Sequence, residues 1–169
     1  MDSQYNNMME SITRRRSTVR KMYEYISGYT DGEGCFSVSF LKREKLKIGI
    51  ETRPSFSVSQ NENRAEVLYL MQETFVCGHL RRDYSDKTLK YEVRKLEDLL
   101  TKIIPHFRKY PMLSGKRTDF EHFAKICKLM KNGGQHTKSG MQKIINLAFQ
   151  MNPSGKRKYK QAELLALLR

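Results

Sequence analysis

Residues Tyr25–Phe40 read YISGYTDGEGCFSVSF, and how they are read decides the fold. An apolar helical run meets two acids interleaved with glycines, at the point where the pattern turns to strand. Tyr23, Ile26, Tyr29 and Thr30 recur at helical spacing, whereas Phe36, Val38 and Phe40 alternate with Ser37, Ser39 and Leu41. Gly28 and Gly32 lie four apart on one helix face. A glycine inside a helix costs roughly 1 kcal/mol against alanine, and close approach of a second backbone is a reason to keep it. Asp31 and Glu33 would diverge by about 200° on a continuing helix, so they can converge only if the helix ends there. Helix carbonyls already make that end negative, and a divalent cation would relieve the repulsion on a carboxylate. A plain Gly/Asp turn between helix and strand is the other reading of these residues.

The same switching of period continues along the chain. Residues 53–60 set Phe56 and Val58 against Ser55, Ser57 and Ser59, and a helix is expected over about 63–76 with Val67, Leu70, Met71 and Phe75 as its apolar stripe. Residues 78–84 and 87–95 form a second hairpin across Ser85-Asp86, with Leu89, Tyr91 and Val93 facing one way and Thr88, Lys90, Glu92 and Arg94 the other. Helices follow over about 96–107, 116–131, 137–151 and 162–168. This α-ββ-α-ββ-α order, with a helical extension, predicts an α+β fold in which a four-stranded antiparallel sheet is backed by helices on one face. Residues 1–20 read as a loose basic arm, and residues 21–169 as one domain.

Composition narrows the function. Lysine and arginine total 32 against 18 acids, a net charge of +14 over 169 residues. That excess points to a polyanion, most simply nucleic acid, and no segment approaches the ~18 apolar residues of a membrane span. No secretory leader pattern opens the chain, so an intracellular protein is expected, in a bacterial cytoplasm or an organelle. Cys35, Cys77 and Cys127 are widely spaced and fit no zinc or disulfide pattern, so they read as reduced thiols.

The polar face of the predicted sheet carries side chains able to read base edges and hold phosphates. Alternation assigns to it Ser37, Ser39, Leu41, Arg43, Arg53, Ser55, Ser57, His79, Arg81, Lys90, Glu92 and Arg94. A strand of about 8 residues spans roughly 26 Å, or about 8 base pairs, which suits a major groove.

Three segments carry a family resemblance. Ile26–Gly34, ISGYTDGEG, resembles the nine-residue signature of the LAGLIDADG homing endonucleases. Val58–Arg64, VSQNENR, is similar to the strand end where that family places a polar and a basic residue near the scissile phosphates. Lys109–Phe120, KYPMLSGKRTDF, resembles the stretch that delivers an active-site lysine ahead of a long helix. The resemblance covers about residues 21–150. It implies that Glu33 and the Gly32 carbonyl hold Mg²⁺, and that Gln60, Arg64 and Lys116 complete the catalytic set. It also implies a homodimer joined through Ser27, Gly28 and Asp31, because one signature supplies only half of the metal-binding acids. Such an enzyme makes a metal-dependent double-strand break in a long, near-palindromic DNA target, leaving short 3′ overhangs, and thereby spreads its intron. Gly32-Glu33 stands where the family pattern has alanine-aspartate, so the carboxylate is kept on one more methylene. Two other classes fit the basic surface: a maturase acting on intron RNA, and a sequence-specific DNA-binding protein without catalysis.

Overall fold

The computed structural model describes residues 2–84, 87–153 and 155–168. Helix α1 spans Asp2–Glu33. Residues up to 20, expected to be loose, continue it, because no glycine or proline interrupts the chain before Gly28. Local bonds support that half: Thr13 Oγ1 donates to the Met9 carbonyl at 2.9 Å, Thr18 Oγ1 to that of Arg14 at 3.1 Å, and Arg20 pairs with Glu24. Strand β1 (Gly34–Lys42) follows α1 without a linker, and β2 (Ile50–Asn61) returns antiparallel to it. β2 begins three residues before the expected Arg53, since pairing with Leu41 and Lys42 extends it to Glu51 and Ile50.

A 3-10 turn over Glu62–Arg64 leads into α2 (Glu66–Phe75), then β3 (His79–Asp83) and β4 (Thr88–Val93) complete the sheet. The expected turn at Ser85-Asp86 lies outside the described residues. Strand order is β1-β2-β4-β3, antiparallel throughout, so β1 and β3 are the edges. The segment after β4 is α3 (Leu96–Asp98), a π-turn over Leu99–Ile103, and α4 (Ile104–Lys109). Pro105 has no N–H to give, and the widened turn before it absorbs the lost bond. α5 (Lys116–Lys131), α6 (Lys138–Phe149) and the short α7 (Gln161–Ala166) finish the chain.

The core fills the space between one face of the sheet and the helices. Phe36 of β1 and Phe56 of β2 stack with centroids 5.1 Å apart, and Phe107 of α4 meets both rings at 5.3 Å. Phe120 and Phe123 of α5 close the cluster on Phe36. All five rings are buried, and burying each one fully contributes about 1.5–3 kcal/mol. This cluster locks β1, β2, α4 and the start of α5 into one unit, and α1 leads directly into β1, which positions the site.

Candidate active site

Gly34 forms the joint between α1 and β1. A Cβ there would lie 2.5 Å from Thr30 Cγ2 and 2.7 Å from the Thr30 carbonyl oxygen, so no larger residue fits. The tight joint lets the helix run through Glu33 itself, and Asp31 and Glu33 therefore do not converge as expected. Asp31 turns to the loop before α5, accepting from the backbone N–H groups of Leu113 at 3.1 Å and Ser114 at 3.0 Å, and from the Ser114 hydroxyl. Burial alone would raise the Asp31 pKa, but these Ser114 and Leu113 donors and the Lys116 ammonium outweigh it, and the carboxyl sits below its usual range. Glu33 is exposed and has no hydrogen-bond or ion-pair partner among the described residues.

Lys116 completes the foot of the helix. Ser114 Oγ accepts from the Lys116 N–H at 3.1 Å, and Lys116 Nζ donates to the carbonyls of Thr30 at 3.0 Å and Gly32 at 3.2 Å. A cation thus sits on the negative end of the helix. It also occupies one lone pair of the Gly32 carbonyl, the group expected to join Glu33 on the metal. Among the described residues no cluster of three or more His, Cys, Asp or Glu could hold a metal ion. What one chain offers is a set of hard oxygens, the Glu33 carboxylate and the Gly32 carbonyl, which fits half of a Mg²⁺ site.

The faces of α1 separate the remaining expected residues. Gly28 and Gly32 are exposed, and a Cβ on either would meet nothing within 4 Å, so this stripe is open to a second backbone. Ser27, expected at the same interface, points inward instead. It is 3% exposed, donates to the Tyr110 carbonyl at 2.7 Å and lies 3.1 Å from His106 Nε2. Asp31 likewise spends its carboxylate within its own chain. Burial pushes the His106 pKa down to about 4, so the ring is neutral beneath the site.

Gln60 reaches the site through a residue the sequence reading passed over. Its Nε2 bonds to the Tyr29 hydroxyl, and its Oε1 accepts from the Asn61 N–H at 2.7 Å. Tyr29 precedes Glu33 by four residues, one helical turn, and that spacing was the available signal. Arg64 lies exposed in the turn after β2.

Register gathers the expected sheet residues on one face. Ser37 opposes Ser55, Ser39 opposes Arg53, Ser57 opposes Glu92, Glu92 opposes His79, and Lys90 opposes Arg81. Leu41 opposes Glu51, whose carboxylate accepts from Arg43 at 2.9 Å and Arg53 at 2.8 Å. Three of the residues expected to read bases are instead buried: Ser55, Ser57 and Glu92, the last 3% exposed. Glu92 accepts from Ser55 Oγ at 3.0 Å and pairs with Arg94 at 3.0 Å, with Lys90 at 3.9 Å and His79 at 3.8 Å. Burial alone would raise its pKa, but Ser55, Arg94 and Lys90 outweigh that and hold it below the ordinary value. It is an acidic floor under a basic surface. The three cysteines are free, with Cys35 exposed on this face, Cys77 half-buried and Cys127 buried.

Comparison with known proteins agrees with this geometry. The family model described as LAGLIDADG endonuclease matches residues 26–127, more than half of the chain. "Probable intron-encoded endonuclease 2" of Neurospora crassa is 31% identical over 129 residues, covering 76% of this chain and 28% of its own length. DNA endonuclease I-CeuI of Chlamydomonas moewusii is 25% identical over 123 residues, covering 72% of this chain and 56% of its own. The chain thus spans about a quarter to a half of these two relatives. Among solved structures, the homing endonuclease I-TnaI superposes with a TM-score of 0.74 at 30% identity, over 86% of this chain and 94% of that one. The I-LtrWI LAGLIDADG homing endonuclease bound to target DNA superposes with a TM-score of 0.82 at 33% identity, over 89% of this chain and 50% of that one. With the signature at the foot of α1, the four-stranded antiparallel sheet and these matches in agreement, the chain belongs to the LAGLIDADG endonuclease family.

Proposed function

We propose that this protein is a site-specific homing endonuclease that binds duplex DNA on the exposed face of its sheet and breaks both strands with the aid of Mg²⁺. The observation that carries the reading is Glu33, an exposed carboxylate with no partner among the described residues, at the end of α1 where the Lys116 ammonium is bound and where β1 leads into the sheet. Glu33 and the Gly32 carbonyl would hold the divalent cation, whose chemistry when bound would be Lewis acidity toward a phosphate oxygen and water. Lys116, fixed on the helix end, stabilises negative charge developing on the phosphate. Gln60, steadied by Tyr29, orients water, and Arg64 holds an adjacent phosphate.

One carboxylate per chain is half of a site, so the active form is a homodimer. The open faces of Gly28 and Gly32 support close pairing of two α1 helices, which brings two copies of Glu33 to the axis. Two-fold symmetry then requires a near-palindromic target, and cutting across the minor groove leaves short 3′ overhangs. No described helix is long and apolar enough to cross a membrane, and the protein acts in the compartment that holds its target genome, a bacterial cytoplasm or an organelle.

The test is incubation of the purified protein with Mg²⁺ and a duplex spanning the uninterrupted insertion site of its gene. Cleavage of both strands, lost in chelator, is the expected result. Bound but intact duplex would make it a regulator, and preference for folded intron RNA would make it a maturase.

A further inference from the structure

The strongest feature that the proposed chemistry leaves unused is a groove of about 750 Å³ along the outer edge of β1. One wall is the exposed face of β1, Ser37, Ser39 and Leu41, and the other is the segment after α6, with Lys156, Lys158 and Tyr159. We propose that this segment is a second DNA-backbone clasp, which grips the phosphates of the strand lying along β1; the inference rests on the duplex-binding reading above.

The segment is held rigidly at both ends. Asn152 Nδ2 donates to the Phe36 carbonyl at 2.8 Å, and the Asn152 N–H to Asp119 Oδ1 at 3.1 Å, tying its start to β1 and α5. Leu164 and Leu168 are buried beyond its end, and Gln161 Nε2 donates to Asn146 Oδ1 at 2.9 Å. Between these anchors the basic residues divide into two roles. Arg157 turns inward, donating to the carbonyls of Ala148 and Met151 at the end of α6 and lying 4.6 Å from the centroid of the Phe149 ring. Lys156 and Lys158 face solvent with no acidic partner among the described residues.

Tyr159 sets their placement. Lys158 Nζ lies 5.4 Å from its ring centroid, and Lys42 Nζ, from the tip of β1, lies 5.1 Å from it. Cations drawn onto one ring join the clasp to the end of the sheet, so the positive surface continues past the edge strand. An edge strand normally exposes unpaired backbone groups. Here its border is walled by ammonium groups that have no acidic partner among the described residues, on an anchored frame, an arrangement suited to a polyanion and not to an apolar partner.

The test compares Lys156→Gln/Lys158→Gln with Lys125→Gln/Lys128→Gln, which removes the same charge from exposed positions on α5. Binding of the full protein to its target duplex is measured across a salt series. In the homodimer the substitutions remove about two phosphate contacts from each protomer, about four in all, which lowers the slope of log K against log salt by about 3.6 and weakens binding by at least roughly 10- to 100-fold at low salt. The α5 pair leaves the slope nearly unchanged, and Tyr159→Ala, which removes no charge, weakens binding at least several-fold. Equal effects of the two lysine pairs, or no effect of the clasp pair on a protein that still binds and cuts, would overturn the clasp and leave the endonuclease reading standing. A wild-type protein that neither binds nor cuts duplex overturns the endonuclease reading and the clasp with it.

Discussion

At the foot of α1, Glu33 stands exposed with no partner among the described residues, whereas on the sheet Glu92 is 3% exposed and shared among Ser55, Arg94, Lys90 and His79. Both carboxylates lie among cations. The nearest ammonium to the first region, Lys116, is spent on the carbonyls of Thr30 and Gly32, which leaves Glu33 for an external cation. Around Glu92 the cations bond to the acid itself, and it becomes a scaffold that fixes their positions. Asp31 belongs with Glu92 in this respect, since it accepts from the Leu113 and Ser114 N–H groups and holds the loop that delivers Lys116. The difference teaches that in a protein of net charge +14 proximity to positive charge does not by itself mark an acid as chemical, since Glu92 is ringed by cations and serves as a scaffold.

The contrast breaks most sharply at Glu33. Glu33→Gln is expected to reduce cleavage more than about 100-fold while leaving duplex affinity and unfolding free energy within roughly 0.5 kcal/mol of wild type. Cleavage assays paired with gel shifts check it, and retained cutting would refute the assignment. Glu92→Gln should do the reverse: cutting at saturating protein persists, while affinity and base preference decline because Arg94 and Lys90 lose their anchor.

Acid separates the two regions. His106, beneath the foot of α1, resists protonation until about pH 4, while in the unfolded chain it binds a proton near 6.5. The unfolded state therefore takes up more protons as pH falls from about 6.5 to 4, and up to about 3 kcal/mol of stability is lost across that window. Glu92 has a lowered pKa, so its contribution is intact above the ordinary carboxylate range and is lost only as pH falls through its folded value. Denaturant titrations should show His106→Gln flattening the profile above pH 4 and Glu92→Gln flattening it below about 4.5. A wild-type profile that is level from pH 7 to 4 would contradict the burial argument.

Two glycine substitutions sharpen the picture with smaller effects. Gly34→Ala, forced against Thr30, should cost about 1–3 kcal/mol in urea unfolding and weaken cutting by displacing Glu33. Gly28→Ala meets nothing within 4 Å and should leave the monomer's stability unchanged or slightly higher. Its effect belongs to assembly, and analytical ultracentrifugation should show a weaker dimer. A destabilised monomer would show that this face already packs on its own chain.

Most of the architecture was legible in residue order. α5 begins and ends at the expected Lys116 and Lys131, and ten of the twelve residues assigned to one sheet face by alternation share that face in the observed register, while Arg43 and Arg94 lie just beyond the ends of β1 and β4. Period and breakers are properties of the local chain, so they can be read without the fold. α1 is longer than its polar, basic N-terminal composition suggests, because no residue between Asp2 and Ser27 disfavours a helix strongly. Within the site, Glu33, Gln60 and Lys116 are proposed through the family resemblance of their segments, which local period and spacing do not supply.

Sequence by itself therefore determined which side chains occupy the strands' shared sheet face, because covalent geometry sets side-chain alternation along a strand. Tertiary structure alone decided that Asp31 holds a loop more than 80 residues away, that Lys116 sits on the carbonyls of α1, that Ser27 turns inward and that Glu92 is buried. Those outcomes depend on which distant groups arrive to satisfy or cover a polar atom. The cost of leaving such an atom unpaired is paid by contacts that no local pattern encodes.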